Sequence, residues 1–351
     1  MIAFIKQHLI TIFFVLGFAT DSILLPSPDS NFSWIIGLVY ILSISLFILM
    51  REWLLSKANK SSHLEKYVSY SSNIINFFSG SLLSFVLIYY FRSSSFIISL
   101  PVLFMIVGMI LINETIKNKK YRRVIDILVL FLSSIFFFIF AIPIFTGSIS
   151  ATVFWISFAF AILLQISFLL LLSYVSKKKI SFFDIEIKAS VLIIFIIFIL
   201  HITKILPAVP LSLKVANVYS HINKVSSDYI VQSEKRNIIQ KLTQLNTYHY
   251  REGESIYFFS SVHAPTKIIT NIVHVWEYYD EANDEWREIN RVSFRLSGGR
   301  AEGYRGYTMS TNPKDGYWRV SVKTEDGRTV GRYSFKMIKS MTEIKREELA
   351  I

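Results

Sequence analysis

Seven stretches of about 20 mostly apolar residues constrain this chain more than anything else in it. Roughly 20 such residues, coiled as a helix, cover the ~30 Å of hydrocarbon in a bilayer. The runs lie near Leu9–Leu25, Ser33–Met50, Asn73–Phe91, Phe96–Asn113, Val124–Phe145, Ala151–Tyr174 and Ile187–Leu206, each bounded by polar or charged residues or by Pro and Gly. In lipid, every backbone N–H and C=O must find its partner inside the segment, so such runs are read as spanning helices. A 52% hydrophobic composition and a mean hydropathy of +0.46 agree with that class. Trp34, Trp53, Tyr89, Tyr90, Tyr121 and Tyr174 fall near run ends, where amphipathic rings favour the membrane interface.

The net charge of +12 would suggest nucleic acid in a soluble protein, but here the cations concentrate in alternate loops. Arg51, Lys57, Lys60 and Lys66 fall in one, Lys117, Lys119, Lys120, Arg122 and Arg123 in the next, and Lys177, Lys178, Lys179 and Lys188 in a third. The intervening loops carry Arg92 and little else that is basic. Cationic loops stay cytoplasmic, so this asymmetry, with Lys6 before the first run, predicts a cytoplasmic N-terminus and an extracytoplasmic Pro207–Ile351. A rival reading takes Lys6, Leu9–Phe18 and Gly17-Phe18-Ala19 as a cleaved signal peptide; it leaves the C-terminal segment outside as well.

Ionisable residues deep in a bilayer are costly and functional. Asp21, Glu114, Asp126, Asp184 and Lys204 are read at helix ends, within reach of water, which leaves Gln165 and His201 as the interior polar positions. No run shows the charge chain or paired broken helices of a transporter, and Pro143 is expected to end or kink its helix. The helical half is therefore read as an anchoring bundle.

Composition changes after Leu206. Residues 207–250 are read as a juxtamembrane connector, with an amphipathic helix over Asp228–Leu245 from the spacing of Ile238, Ile239, Leu242 and Leu245. From residue 251 the apolar period becomes two. Strands are predicted at Ser255–His263, Asn271–Tyr279, Trp286–Leu296, Tyr304–Thr311, Tyr317–Thr324 and Val330–Ile338, with turns at Asn312–Gly316 and Glu325–Arg328. Six short strands at this spacing predict an all-β, sandwich-like (Ig-like) domain over 251–340, and residues 341–351 are read as a charged tail, helical or frayed. The fold class is thus a polytopic α-helical membrane bundle over 1–206 followed by a β-sandwich.

Several motifs carry a resemblance: Ser261-Val262-His263-Ala264-Pro265, His274-Val275-Trp276, the run Gly298–Thr308, Gly316–Val320, Thr324–Arg328 and Gly331-Arg332. As a set they resemble the family called domain of unknown function 2914, and the multi-span half with Pro207–Lys214 resembles the membrane region often joined to it. The resemblance implies a bacterial envelope protein and implies no activity.

Within Gly298–Thr308, Arg300 and Arg305 offer planar multi-donor cations suited to carboxylate, phosphate or sugar oxygens. Tyr304 and Tyr307 offer rings for stacking or packing, and Glu302 or an acidic residue across the sheet is a partner for Arg300. These five form the candidate ligand-binding set. His263 and His274 are a weak metal pair, since a zinc site needs three or four convergent ligands and two histidines are not a motif. Trp276, Trp318 and Phe335 are assigned to the core, and Trp286 to core or rim. Arg287, Arg291, Arg295, Arg319 and Arg332 are read as a cationic strand face suited to anionic lipid or cell-wall polymer. With no cysteine there is no disulfide, thiolate site or Cys nucleophile, and no phosphate loop, dinucleotide fingerprint or nucleophile elbow is present. No catalytic residue, cofactor or nucleic-acid partner is expected. The expected partners are the bilayer and an envelope glycan, an anionic polymer or a membrane or periplasmic protein. A membrane-embedded enzyme or small-solute transporter, with the sandwich as accessory, is the alternative.

Overall fold

The computed structural model describes residues 16, 19–21, 23, 25, 31–57, 62–92, 96–115, 119–178, 181, 184–206, 208–225, 228–235, 246–300 and 302–351. The chain divides into two compact units, Met1–Thr146 with Ser150–Leu206, and Gly147–Ile149 with Pro207–Ile351.

The first unit is helical: α1 Asn31–Lys57, α2 Ser62–Arg92, α3 Phe96–Thr115, α4 Lys119–Thr146, α5 Ala151–Ser176 and α6 Ile185–Ile202. Five of these are long and apolar enough to cross a membrane; α3 contributes the shorter apolar stretch Leu100–Asn113. That is consistent with a membrane protein. The first apolar run, Leu9–Leu25, lies largely outside the described residues. Helix α4 is the central element, with 83% of its apolar window buried against 22% for α6. Its Phe137 packs onto Gly37 of α1, where a Cβ would lie 2.4 Å from the ring, so glycine permits the close approach. Pro143 does not end α4, which continues to Thr146. Trp34, Tyr89 and Tyr90, expected at the interface, are buried between helices, where Trp34 meets Phe140 at 5.3 Å and Tyr90 meets Phe136 at 5.2 Å. A ring near the end of an apolar run goes inward when a neighbouring helix offers it an aromatic partner.

The second unit is β-rich: β1 Ser212–Tyr219, β2 His221–Val225, β3 Asp228–Glu234, β4 Thr247–Tyr250, β5 Ile256–His263, β6 Ile269–Asp280, β7 Glu285–Ser297, β8 Tyr304–Ser310, β9 Gly316–Thr324, β10 Thr329–Lys339 and β11 Arg346–Ala350. They form three sheets, ordered β1-β5-β8, β4-β10-β9-β6-β7 and β11-β3-β2. Strands β5 to β10 start and end within two residues of the predicted ones.

Two expectations are corrected. Residues 207–250, read as a connector, hold β1 to β4, and the predicted helix over Asp228–Leu245 begins instead as β3, which buries Tyr229 and Val231 two residues apart. Ile238, Ile239, Leu242 and Leu245 lie outside the described residues. The 341–351 tail, read as helical or frayed, contains β11, antiparallel to β3 from Arg346↔Glu234 to Ala350↔Ile230. Pairing of the main chain, which no side-chain pattern announces, orders this charged segment.

Candidate functional site

Strand alternation sorts the side chains of the five-stranded sheet onto two faces. On one face, Trp276 of β6, Trp318 of β9 and Phe335 of β10 are buried, with Trp276 at 6.5 Å from Trp318 and 6.4 Å from Phe335. Phe258 of β5 closes this core at 6.1 Å from Trp276.

His274 sits in the same core. Its ring nitrogens bond the Ser260 Oγ at 2.8 Å and the Thr308 Oγ1 at 3.0 Å, and Trp276 Nε1 donates to the same Thr308 oxygen at 3.0 Å. Burial pushes the His274 imidazole down to about 3, so it is neutral. With both nitrogens taken by hydroxyls, His274 has no lone pair to give a metal. His263 pairs with Ser212 at the end of β5, in a different sheet. Among the described residues no cluster of three or more His, Cys, Asp or Glu converges on one point.

The loop candidates separate. Arg305, on β8, pairs with Glu302 and donates to the Ile351 carbonyl at 3.3 Å, so it joins its loop to the end of β11. Arg300 is exposed, with its guanidinium 5.0 Å from the Tyr304 ring centroid. Tyr304 is stacked on Phe294 of β7 at 6.3 Å. Tyr307 is exposed at the edge of a ring group with Tyr229 and Tyr257.

The other face of the five-stranded sheet looks outward and carries the cations. Register aligns Glu277 with Arg319 and Val275 with Arg291, and Asn271 with Arg295; Arg319 aligns with Ser334 and Ser321 with Arg332. Arg319, Lys323, Arg332, Lys336, Arg291 and Arg295 therefore share this face with two carboxylates of the paired strands, Glu277 and Glu288. Arg287 aligns with Tyr278 and leaves the predicted cationic group for the edge, where it pairs with Asp280 at 3.0 Å. Glu277 is buried and accepts both bonds of the Arg319 fork of β9, at 2.7 and 2.8 Å, with one from Ser321 at 3.1 Å. Burial would raise this carboxyl, but the Arg319 bonds and charge outweigh it and hold Glu277 below its ordinary value. Burial, with Arg332 and Arg291 nearby and only partly offset by Glu277, holds the Lys323 ammonium below its ordinary value; burial and Arg319 do the same for Arg332. The face carries more positive charge than its own acids neutralise.

At one end of this face a row of side chains crosses all five strands, aromatic on β7, β6 and β9. Trp286 of β7 is opposite Tyr279 of β6, and Tyr317 of β9 is opposite Lys336 of β10, which is opposite Thr247 of β4. Tyr317 lies one step beyond the Tyr278↔Trp318 pair, which brings it beside Tyr279. Together these side chains line an open depression of about 530 Å³. Sequence reasoning places Trp286 only as core or rim and gives Tyr279, Tyr317 and Lys336 no role. The available signal is that Tyr317 and Lys336 occupy the outward parity of strands otherwise marked by Arg and Lys.

In the helical unit, Gln165 donates to Ser190 Oγ at 3.1 Å, joining α5 to α6, and His201 stacks on Phe154 at 3.5 Å. Asp21 and Asp126, expected within reach of water, are both buried. Asp21 accepts from Tyr40 and Ser84, each at 2.5 Å. Asp126 lies among Arg51 at 2.5 Å and Arg122 at 3.0 Å, and Glu52, Arg123 and Glu186 extend the network. Charges from three apolar helices meet there, a constellation invisible when each run is read alone.

Residues 269–337 match the family described as Protein of unknown function (DUF2914). This region spans β6 to most of β10 and includes the cationic face and most of the aromatic row. No curated protein matches the chain. Among solved structures, an immunoglobulin-like protein from Pseudomonas aeruginosa is 10% identical, with 36% of this chain and 96% of that one covered and a TM-score of 0.21. A beta-glucosidase from Listeria innocua is 9% identical, with 33% of this chain and 17% of that one covered and a TM-score of 0.19. The alkylpurine DNA glycosylase AlkC of Pseudomonas fluorescens is 10% identical, with 89% and 100% covered and a TM-score of 0.22. Overlaps at these scores carry no argument about activity or ligand.

Proposed function

We propose that this chain is a bacterial inner-membrane protein whose helices, about seven in number, anchor an Ig-like β-sandwich on the extracytoplasmic side, and that the sandwich binds an anionic envelope polymer. The observation that carries the reading is the outward face of the five-stranded sheet, where exposed Arg291, Arg295, Arg332 and Lys336 and half-buried Arg319 and Lys323 lie beside Glu277 and Glu288. A face with surplus cations gains from a polyanion that relieves their mutual repulsion. Alternation of cationic and neutral loops supports the orientation. Arg300, exposed over Tyr304, is a further anion contact in this reading.

The test is sedimentation of the full-length protein, in nanodiscs of zwitterionic lipid, with purified cell-wall sacculi carrying their anionic polymers. Wild type is expected to co-sediment, with binding that weakens steeply as salt rises, and an Arg332→Gln, Lys323→Gln variant to remain in solution. Co-sedimentation equal for both proteins, or none for wild type, overturns the reading. A periplasmic reporter that is active at Lys120 or inactive at Ile351 overturns the orientation.

A second reading, a membrane-embedded enzyme or solute transporter, draws on Asp21. Among the described residues this buried carboxyl has two hydroxyl partners and no cation. Loss of a cellular phenotype in Asp21→Asn at normal expression favours it over the binding module.

A further inference from the structure

We infer that the polymer recognised by the outward face is an acidic polysaccharide, one sugar ring of which stacks in the depression formed by Trp286, Tyr279, Tyr317, Lys336 and Thr247. The inference rests on the outward face being the ligand surface and adds the chemical class of the ligand. A polyphosphate or an anionic lipid surface needs only cations. Neither gives an account of three aromatic side chains set in a row across β7, β6 and β9 at one end of the charged face.

The row is rigid. Arg319, gripped by both oxygens of Glu277, lies 4.1 Å from the Trp286 ring centroid, and Tyr279 packs on the same indole at 5.2 Å. Tyr279 is held in turn by its hydroxyl bond to Asp284. The half-buried indole is fixed by these contacts, as a stacking platform must be if it is not to spend binding energy on ordering itself. Tyr317 stays 47% exposed, which leaves ring surface for a ligand. The depression's volume of about 530 Å³ falls within the roughly 300–1,000 Å³ usual for small-ligand sites.

The charged side chain that lines the depression is a cation. Among the residues lining the depression, Lys336 is the sole charged side chain. Its ammonium lies 5.1 Å from the Tyr317 ring centroid, and among the described residues no carboxylate pairs with it. A sugar ring whose apolar face meets Tyr317 and Trp286, and whose carboxylate meets Lys336, satisfies both features. From there, Ser334 and Arg332 along β10 and Arg319, Ser321 and Lys323 along β9 recur on the same face about 7 Å apart. That repeat provides donors for the next sugars of an acidic chain. The Arg300 loop is elsewhere: Phe294, on which Tyr304 stacks, is eight residues along β7 from Trp286, about 26 Å at roughly 3.3 Å per residue.

The experiment titrates the full-length protein in zwitterionic nanodiscs with three soluble probes: an oligouronate, a neutral N-acetylhexosamine oligomer of equal length, and inorganic polyphosphate. Wild type is expected to bind the oligouronate at least tenfold tighter than either other probe. Trp286→Ala should weaken the oligouronate at least tenfold and leave polyphosphate unchanged. Tyr317→Ala, at an exposed position, should repeat that pattern if Trp286→Ala folds poorly. Arg332→Gln with Lys323→Gln should weaken both anions. Polyphosphate binding as tight as oligouronate, insensitive to both aromatic variants, overturns the saccharide inference and leaves the polyanion reading standing. Equal binding of neutral and acidic sugars overturns the charge component of both. Binding of no probe, with sacculi still sedimenting the protein, overturns the inference alone.

Discussion

Arg51 of α1 donates to Asp126 of α4 at 2.5 Å, across 75 residues of sequence, with the Asp126 side chain fully buried. The same carboxylate meets Arg122 at 3.0 Å, and Arg122 also donates to the side chains of Asn76 and Asn113. Five helices converge on this charged knot, since Arg123 also reaches Glu186 of α6. Three arginines and three carboxylates balance within it, so we assign it to holding the bundle together. Asp126→Asn removes the shared anion and leaves two guanidinium groups facing each other. The expected loss is about 3–5 kcal/mol. It is checked by the melting temperature of the detergent-solubilised protein, where an unchanged temperature would refute the assignment.

The buried His274 makes stability depend on pH. Its pKa is about 3 in the folded protein against an ordinary 6.5, so between these values the unfolded chain binds the extra proton. The contribution is fully present above pH 6.5 and is lost as pH falls toward 3, at up to roughly 1.4 kcal/mol per pH unit. Thermal unfolding followed through the tryptophans should show this decline, and a His274→Gln variant should lack most of it while starting from a lower stability at pH 7.

Thr308 serves two buried groups at once, His274 Nδ1 and Trp276 Nε1. Thr308→Val keeps the shape and removes the oxygen, so both nitrogens lose a partner. A destabilisation of about 2–4 kcal/mol is expected, at roughly 1–3 kcal/mol for each orphaned group. Ser260→Ala affects one ring nitrogen and should cost less, and equal losses for the two variants would show that Trp276 gains nothing from Thr308.

Gly298 has no room for a side chain: a Cβ there would lie 1.9 Å from the Pro265 carbonyl oxygen, which is main chain and cannot swing aside. Its N–H also donates to the Ile268 carbonyl at 2.8 Å. Gly298→Ala should therefore separate the two segments at a cost of about 1–3 kcal/mol or more. Hydrogen exchange at Gly298 and Gly299 should rise measurably, and protection equal to wild type would contradict the account.

The two loop arginines should behave differently. Arg305 pairs with Glu302 and bonds the Ile351 carbonyl, whereas Arg300 lies exposed over Tyr304. Arg305→Ala is expected to loosen β11, seen as faster hydrogen exchange of Arg346–Ala350. Arg300→Ala is expected to leave that exchange unchanged and the stability within about 0.5 kcal/mol of wild type, as for a surface substitution.

Periodicity alone makes much of the architecture legible. Apolar runs mark the helices α1 to α6, five of them long enough to span hydrocarbon, and a switch to period two marks β5 to β10, because burial on one face repeats every second residue in a strand. Trp276, Trp318 and Phe335 lie at the parity that the β pattern points inward. Where order comes from main-chain pairing, the pattern is silent, and β1 to β4 and β11 resemble connector, helix or tail. Register is equally out of reach. Trp286, Tyr279, Tyr317 and Lys336 come from four strands, and only the hydrogen-bonded alignment of those strands puts them in one row. The same holds for Asp126, whose sequence neighbours suggest a wet helix end and whose partners on other helices make it a buried anion. Local sequence determined which elements form and which face of each is apolar, since those depend on spacing along the chain. Tertiary structure decided which polar groups meet, since that depends on register and packing between segments far apart in sequence.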